Sequence, residues 1–102
     1  MHYARVMTFA DFVASVAAPE PPPLSAPLRA LWLAKKGDWE GAHRVASDIE
    51  GAFGARIHAH LHRVEGDLSN ARYWYRQARV EPFEGSLDEE WEALAREESG
   101  RR

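Results

Sequence analysis

Three histidines occupy alternate positions, 58, 60 and 62, in the segment R-I-H-A-H-L-H-R-V-E-G-D. On a helix, which turns by about 100° per residue, His58 and His62 lie within about 40° of each other, whereas His60 points away. An i, i+4 pair of imidazoles can chelate a divalent transition metal such as zinc or nickel. This pair is therefore the first candidate for chemistry in the chain.

A metal site on His58 and His62 needs at least one more protein ligand. Glu65, one turn after His62, and His43, on the preceding predicted helix, are the candidates. The same residues have two other interpretations. As structural groups, the two histidines flank the core and donate hydrogen bonds to carbonyls or to Glu65, and as surface groups they contact a partner.

Enzymatic chemistry has little support in the sequence. A histidine beside a carboxylate can act as a general base, but a nucleophile and an electrophile site are missing. Ser47 follows His43 and precedes Asp48, yet a single exposed helix carrying all three would lack an oxyanion hole. We therefore expect a protein without enzymatic activity.

Composition restricts the remaining functions. The 102 residues suffice for one domain, and the net charge of −3 argues against a protein that binds the phosphates of nucleic acid. No apolar run approaches the length of a membrane span. Cysteine is absent, which excludes disulfides and thiolate metal sites and fits a cytoplasmic location.

The N-terminal part of the chain predicts an amphipathic helix within residues 1–18, followed by a proline-rich connector at 19–25. Thr8 is the expected N-cap, and Asp11 interrupts the apolar region that a secretory signal would need. The apolar positions of the helix are spaced i, i+3, i+4, i+7: Phe9, Phe12, Val13 and Val16.

Residues 26–98 predict helices throughout, because no segment alternates in the manner of a strand. The expected N-caps are Ser25, Asp38, Asp67 and Ser86, the last with a capping box. The apolar stripes assign these side chains to the core: Leu28, Leu31, Trp32, Trp39, Ala42, Val45, Ala46, Ile49, Phe53, Ile57, Leu61, Val64, Leu68, Ala71, Trp74, Tyr75, Ala78, Leu87, Trp91 and Leu94. The predicted fold class is all-α.

A Gly-Asp turn recurs at an offset of 29 residues, as G-D-W-E-G-A at 37–42 and G-D-L-S-N-A at 66–71. Each unit is a helix, a turn and a second helix. Residues 26–80 thereby resemble the tetratricopeptide-repeat superfamily, whose helices are joined by a Gly-Asp-aromatic-x-x-Ala turn. The chain departs from that family in its offset, which is shorter than roughly 34 residues, and in having two units.

The resemblance implies two TPR-like hairpins, with an N-terminal helix and a C-terminal capping helix covering the ends. It also implies a binding module for a peptide or protein, which would use the surface of the first helices, 27–36 and 55–65. The predicted contact residues are His58, His62, Arg63, Glu65, Asn70 and Tyr73. So few repeats leave an apolar end, for which we expect self-association as a homodimer.

Arginines line one side of the helix after Asp67, at Arg72, Arg76 and Arg79, with Arg63 on the neighbouring helix. They form either a solvated face that pairs with the acidic C-terminal segment or a contact surface for carboxylates or phosphates. Tyr73 points off the core face, toward the C-terminal helix or a partner.

Overall fold

The computed structural model describes residues 7–100, which form six helices. The helices are α1 (Phe9–Ser15), α2 (Ala26–Lys35), α3 (Trp39–Ser47), α4 (Ala52–Val64), α5 (Leu68–Ala78) and α6 (Leu87–Ser99). Because the described part of the chain contains no strand, the predicted all-α class is confirmed. Within the same residues, no helix has both the length and the apolar character needed to cross a membrane.

Helices α2 and α3 form one hairpin, α4 and α5 form a second, and the two hairpins pack through α2, α3 and α4. Their turns have nearly the same backbone conformation. Gly37 and Gly66 have φ angles of 87° and 85°, in the left-handed region that favours glycine. Asp38 and Asp67 follow with φ/ψ of −93°/77° and −92°/79°, and each side chain accepts a hydrogen bond from the backbone N–H three residues later. The 29-residue repeat is thus present in the backbone as well as in the sequence.

Helix α6 packs across α2 and α4, with a further contact to α1. Trp91 and Leu94 enter the main core, and the indole Nε1 of Trp91 donates to the carbonyl oxygen of Leu31 at 2.8 Å. The sequence predicts a helix that caps an end of the array. In the structure, α6 packs against α1, α2 and α4, where apolar residues of α2 and α4 are the partners of Trp91 and Leu94.

Most residues of the predicted stripes are buried or half-buried, but four are exposed. Val13, Val64, Leu68 and Leu87 are 43%, 44%, 56% and 38% exposed. Leu68 and Leu87 are the first residues of α5 and α6, and periodicity alone cannot show that this end of a stripe lacks a neighbouring helix.

Gly54 permits the close connection between α3 and α4. A Cβ atom at this position would overlap the carbonyl oxygen of Ile49 and lie 2.9 Å from its Cγ2. Alanine usually stabilises a helix by about 1 kcal/mol relative to glycine. Here we expect Gly54→Ala to lower the free energy of unfolding by about 1–3 kcal/mol, measured by urea denaturation.

The control for Gly54→Ala is Ser69→Ala, at an exposed position of α5, which should change stability by less than about 0.5 kcal/mol. If Gly54→Ala stabilised the protein, the backbone around Ile49 would accommodate the added Cβ atom without an energetic penalty. The close approach of Gly54 to Ile49 would then not constrain the packing of α3 and α4.

Candidate metal centre

The packing of α3 against α4 brings His43 to His58 and His62. Their ring centroids are 4.9 Å (His43 and His58), 5.4 Å (His43 and His62) and 6.2 Å (His58 and His62) apart. One nitrogen from each ring lies within 4.8 Å of the other two. Of the two residues that the sequence offers as a third ligand, His43 is the one that joins the pair as an imidazole donor.

Glu65 contacts the ring of His62 through its carboxylate. Its Oε2 is 2.7 Å from Nδ1 of His62, which leaves Nε2 of that ring free. A carboxylate bound to the remote nitrogen fixes the tautomer and the orientation of a metal-binding histidine and increases its basicity. His62, Glu65 and Asp67 also form a second cluster with potential ligand atoms within 4.8 Å of one another, in which both carboxylates are exposed.

His58 is a buried member of the site whose pKa is lowered by its surroundings. The residue is 6% exposed, and within residues 7–100 its Nδ1 is the buried side-chain nitrogen that has no hydrogen-bond partner. Burial lowers the pKa of His58 to about 4, assisted by repulsion from His43 and His62 and opposed by a hydrogen bond to the backbone of Ala46. The ring is therefore neutral at pH 7, and its unpaired Nδ1 leaves a lone pair in an apolar setting, which is unfavourable without a partner.

Two tryptophans hold the imidazoles in place. The indole of Trp39 stacks on His43 with centroids 4.8 Å apart, and its Nε1 donates to the carbonyl oxygen of Leu61 at 2.6 Å. The indole of Trp74 stacks on His58 at 4.0 Å. The sequence assigns both tryptophans to the core and misses this role. A signal was available, because Trp39 and His43 are an i, i+4 pair on one helix.

His60 and Arg63 face the opposite side of α4, as the helical geometry predicts for His60. Nδ1 of His60 lies 2.9 Å from Oε1 of Glu90, and Nη1 of Arg63 donates to the same oxygen at 2.7 Å. The hydroxyl of Tyr75 donates to Oε2. Arg63, a predicted contact residue, is thus engaged in an internal ion pair that fastens α6 to the second hairpin.

Glu90 is ionised although it is only 2% exposed. Burial alone would raise its pKa, but hydrogen bonds from His60 and Tyr75, together with the positive charges nearby, hold the pKa below the usual value. Burial and the adjacent carboxylate raise the pKa of Tyr75 to about 12. The cluster is a satisfied buried network, and its carboxylate has no need of a ligand.

The remaining candidates lie outside the histidine cluster. Asn70 is half-buried in the first turn of α5, where its backbone N–H donates to the capping Asp67. Tyr73 is 44% exposed. The hydroxyl of Ser47 donates to the backbone carbonyl of His43 at 2.8 Å, so the structure gives no support to a triad in which His43 activates that serine.

The geometry therefore brings together His43, His58, His62 and Glu65, and separates them from Arg63 and from the exposed face of α5. The imidazoles come from both hairpins, two from α4 and one from α3. Comparisons of the chain with protein-family models, with curated proteins and with solved structures found no match, so a function for this site has to follow from its own chemistry.

Proposed function

We propose that the protein binds a divalent transition-metal ion through the imidazoles of His43, His58 and His62. The observation that carries the proposal is the buried, unpartnered Nδ1 of His58 within a cluster of three histidines. Neutral imidazoles are preferred ligands of zinc, nickel and copper. The ring of His58 is neutral at pH 7, so it needs to lose no proton to act as a donor.

The spacing of the rings is compatible with a single ion after small side-chain rotations. Zinc–nitrogen bonds of about 2.1 Å in a tetrahedral arrangement place the nitrogens about 3.4 Å apart. The donor atoms already lie within 4.8 Å of one another. Three protein ligands leave one position open, and the half-buried His43 lies where solvent can reach the cluster.

The contact of Glu65 with His62 is a second observation that supports the proposal. Its carboxylate accepts a hydrogen bond from Nδ1 of His62, which directs Nε2 as the donor atom. It also supplies negative charge near a cation held by three neutral rings. Loss of such a supporting carboxylate lowers metal affinity by about 10–100-fold in known sites, and we expect a change of this order for Glu65→Gln.

The experiment is thermal and urea-induced unfolding of chelator-treated protein with and without zinc or nickel. An ion that binds the native state alone stabilises it by mass action, by about 2.7 kcal/mol when the free ion is at about 100 times its Kd. We expect this stabilisation in the native chain and its loss in His58→Ala. Equal stability with and without either metal would contradict the proposal.

Two variants distinguish the histidine cluster from the neighbouring cluster of His62, Glu65 and Asp67. His43→Ala removes a ligand of the first cluster only, whereas Asp67→Asn removes a carboxylate of the second and retains a residue that caps helices equally well. By isothermal titration calorimetry, His43→Ala should lose most of its zinc affinity and Asp67→Asn should retain it. The reverse pattern would place the ion on the exposed carboxylates.

The resemblance to helical repeats suggests a peptide site on the first helices of the two hairpins. In this protein, α6 already covers α2 and α4, and Trp91 and Leu94 are part of the core there. On the sides of α2 and α4 that α6 occupies, a peptide could bind only if α6 left. We therefore place no peptide on those sides, and we consider the exposed side of the second hairpin separately.

A further inference from the structure

Helix α5 and its C-terminal cap present a strip of three exposed arginines, Arg72, Arg76 and Arg79. Arg72 and Arg76, four residues apart, lie within about 40° on one side of the helix, and Arg79 follows at the C-cap. α5 contains no aspartate or glutamate. Within the described chain, no ion pair or side-chain hydrogen bond engages any of the three guanidinium groups.

The unpaired state of this strip is unexpected in a chain with 16 acidic and 13 basic residues. Four carboxylates of α6 form ion pairs elsewhere, with α2, with α4 and within α6 itself. The pairs are Asp88 with Lys35, Glu97 with Arg56, Glu90 with Arg63 and Glu92 with Arg96. The interpretation that the acidic C-terminal segment neutralises the arginines is therefore correct for Arg63 and wrong for the strip on α5.

Tyr73 lies beside the arginine strip, about 60° around the helix from Arg76. Its ring is 44% exposed and meets the ring of Trp74 edge to face, at a centroid distance of 5.2 Å. Trp74 is in turn held by its stack on His58. Tyrosine and arginine are the residue types that most often dominate binding energy at protein interfaces, and this contact keeps the tyrosine in position before a partner arrives.

We propose that the arginine strip and Tyr73 form a docking surface for an acidic peptide segment of a partner protein. Guanidinium groups bind carboxylates in a bidentate manner, and the exposed tyrosine ring offers a platform for one apolar side chain of the peptide. Nucleic acid fits less well, because three cations on a protein of net charge −3 cannot release many counterions from a polyanion. The surface shares no residue with the histidine cluster.

The test uses the full chain and two fluorescein-labelled probes, a glutamate-rich peptide with one phenylalanine and an oligothymidylate of equal charge. Fluorescence anisotropy measures the affinity for each. We expect the peptide to bind, more weakly at high salt, and equally well with chelator present. Arg72→Gln/Arg76→Gln should weaken binding by about tenfold or more, and Tyr73→Ala by about tenfold.

The matched control is Arg29→Gln/Arg44→Gln, which removes the same charge from exposed positions of α2 and α3. It should change the affinity for the peptide less than about twofold. Failure of the peptide to bind, or an equal loss in both double variants, would overturn the proposal. Tighter binding of the oligothymidylate than of the peptide would also overturn it, in favour of a nucleic-acid surface.

Discussion

Replacement of Glu90 by alanine is expected to lower the free energy of unfolding by about 3–5 kcal/mol, a large part of the total stability of a small domain. The carboxylate accepts hydrogen bonds from Arg63, His60 and Tyr75, and it is almost fully buried. Without it, the guanidinium of Arg63 loses its counter-charge and the Tyr75 hydroxyl loses its acceptor. Urea denaturation followed by circular dichroism measures the loss.

The control is Glu92→Ala, two residues along the same helix, which removes an exposed i, i+4 pair with Arg96. Such a pair contributes about 0.3–0.5 kcal/mol. Glu90→Gln, which keeps the shape of the side chain and removes its charge, should fall between the two. If Glu90→Ala cost no more than Glu92→Ala, the network would not fasten α6 to the second hairpin.

Acidification of chelator-treated protein from pH 7 to pH 4 should destabilise it by about 3 kcal/mol through His58 alone. The ring binds a proton below pH 6.5 in the unfolded chain but only below about pH 4 in the folded protein, because burial lowers its pKa. Between these two pH values the unfolded state binds more protons than the folded state, so the free energy of unfolding decreases as the pH is lowered. The depressed pKa of Glu90 adds a further loss as the pH falls through its value in the folded protein.

The measurement is the free energy of unfolding in urea at several pH values, compared with His58→Phe. Phenylalanine preserves an aromatic ring against Trp74 and has no titratable nitrogen. We expect a flatter pH dependence between 7 and 4 in the variant, whatever its absolute stability. Parallel curves for the two proteins would show that His58 titrates normally and is not desolvated by its neighbours.

Local signals were sufficient for most of the fold. Ser25, Asp38, Asp67 and Ser86 cap helices as their types predict, and Ser86 forms the expected capping box with Glu89. These assignments depend on hydrogen bonds to residues two or three positions away, which the sequence contains in full. The position of α6 depended on which distant apolar face was left uncovered, and helical periodicity carries no information on that.

In the candidate site, too, local spacing predicted one part and tertiary packing decided the other. The spacing on α4 correctly separated His58 and His62 from His60, but the choice between His43 and Glu65 required the packing of α3 on α4. Glu90 lies in the first turn of α6, where the helix dipole alone accounts for an acidic residue. Its place on the apolar stripe between Leu87 and Leu94 marked it as buried, although no local rule named its partners.

The two hairpins have matching turns but unlike residues at the histidine positions, so within residues 7–100 this histidine cluster occurs once. At the offset of 29 residues, the counterpart of His43 is Arg72, and the counterparts of His58 and His62 are Arg29 and Leu33. The cluster therefore belongs to the junction between two unlike copies. Appending a further copy of the α4–α5 hairpin would add a repeat without creating another histidine cluster. Inserting a spacer hairpin between the α2–α3 and α4–α5 hairpins would separate His43 from His58 and His62 and abolish the cluster.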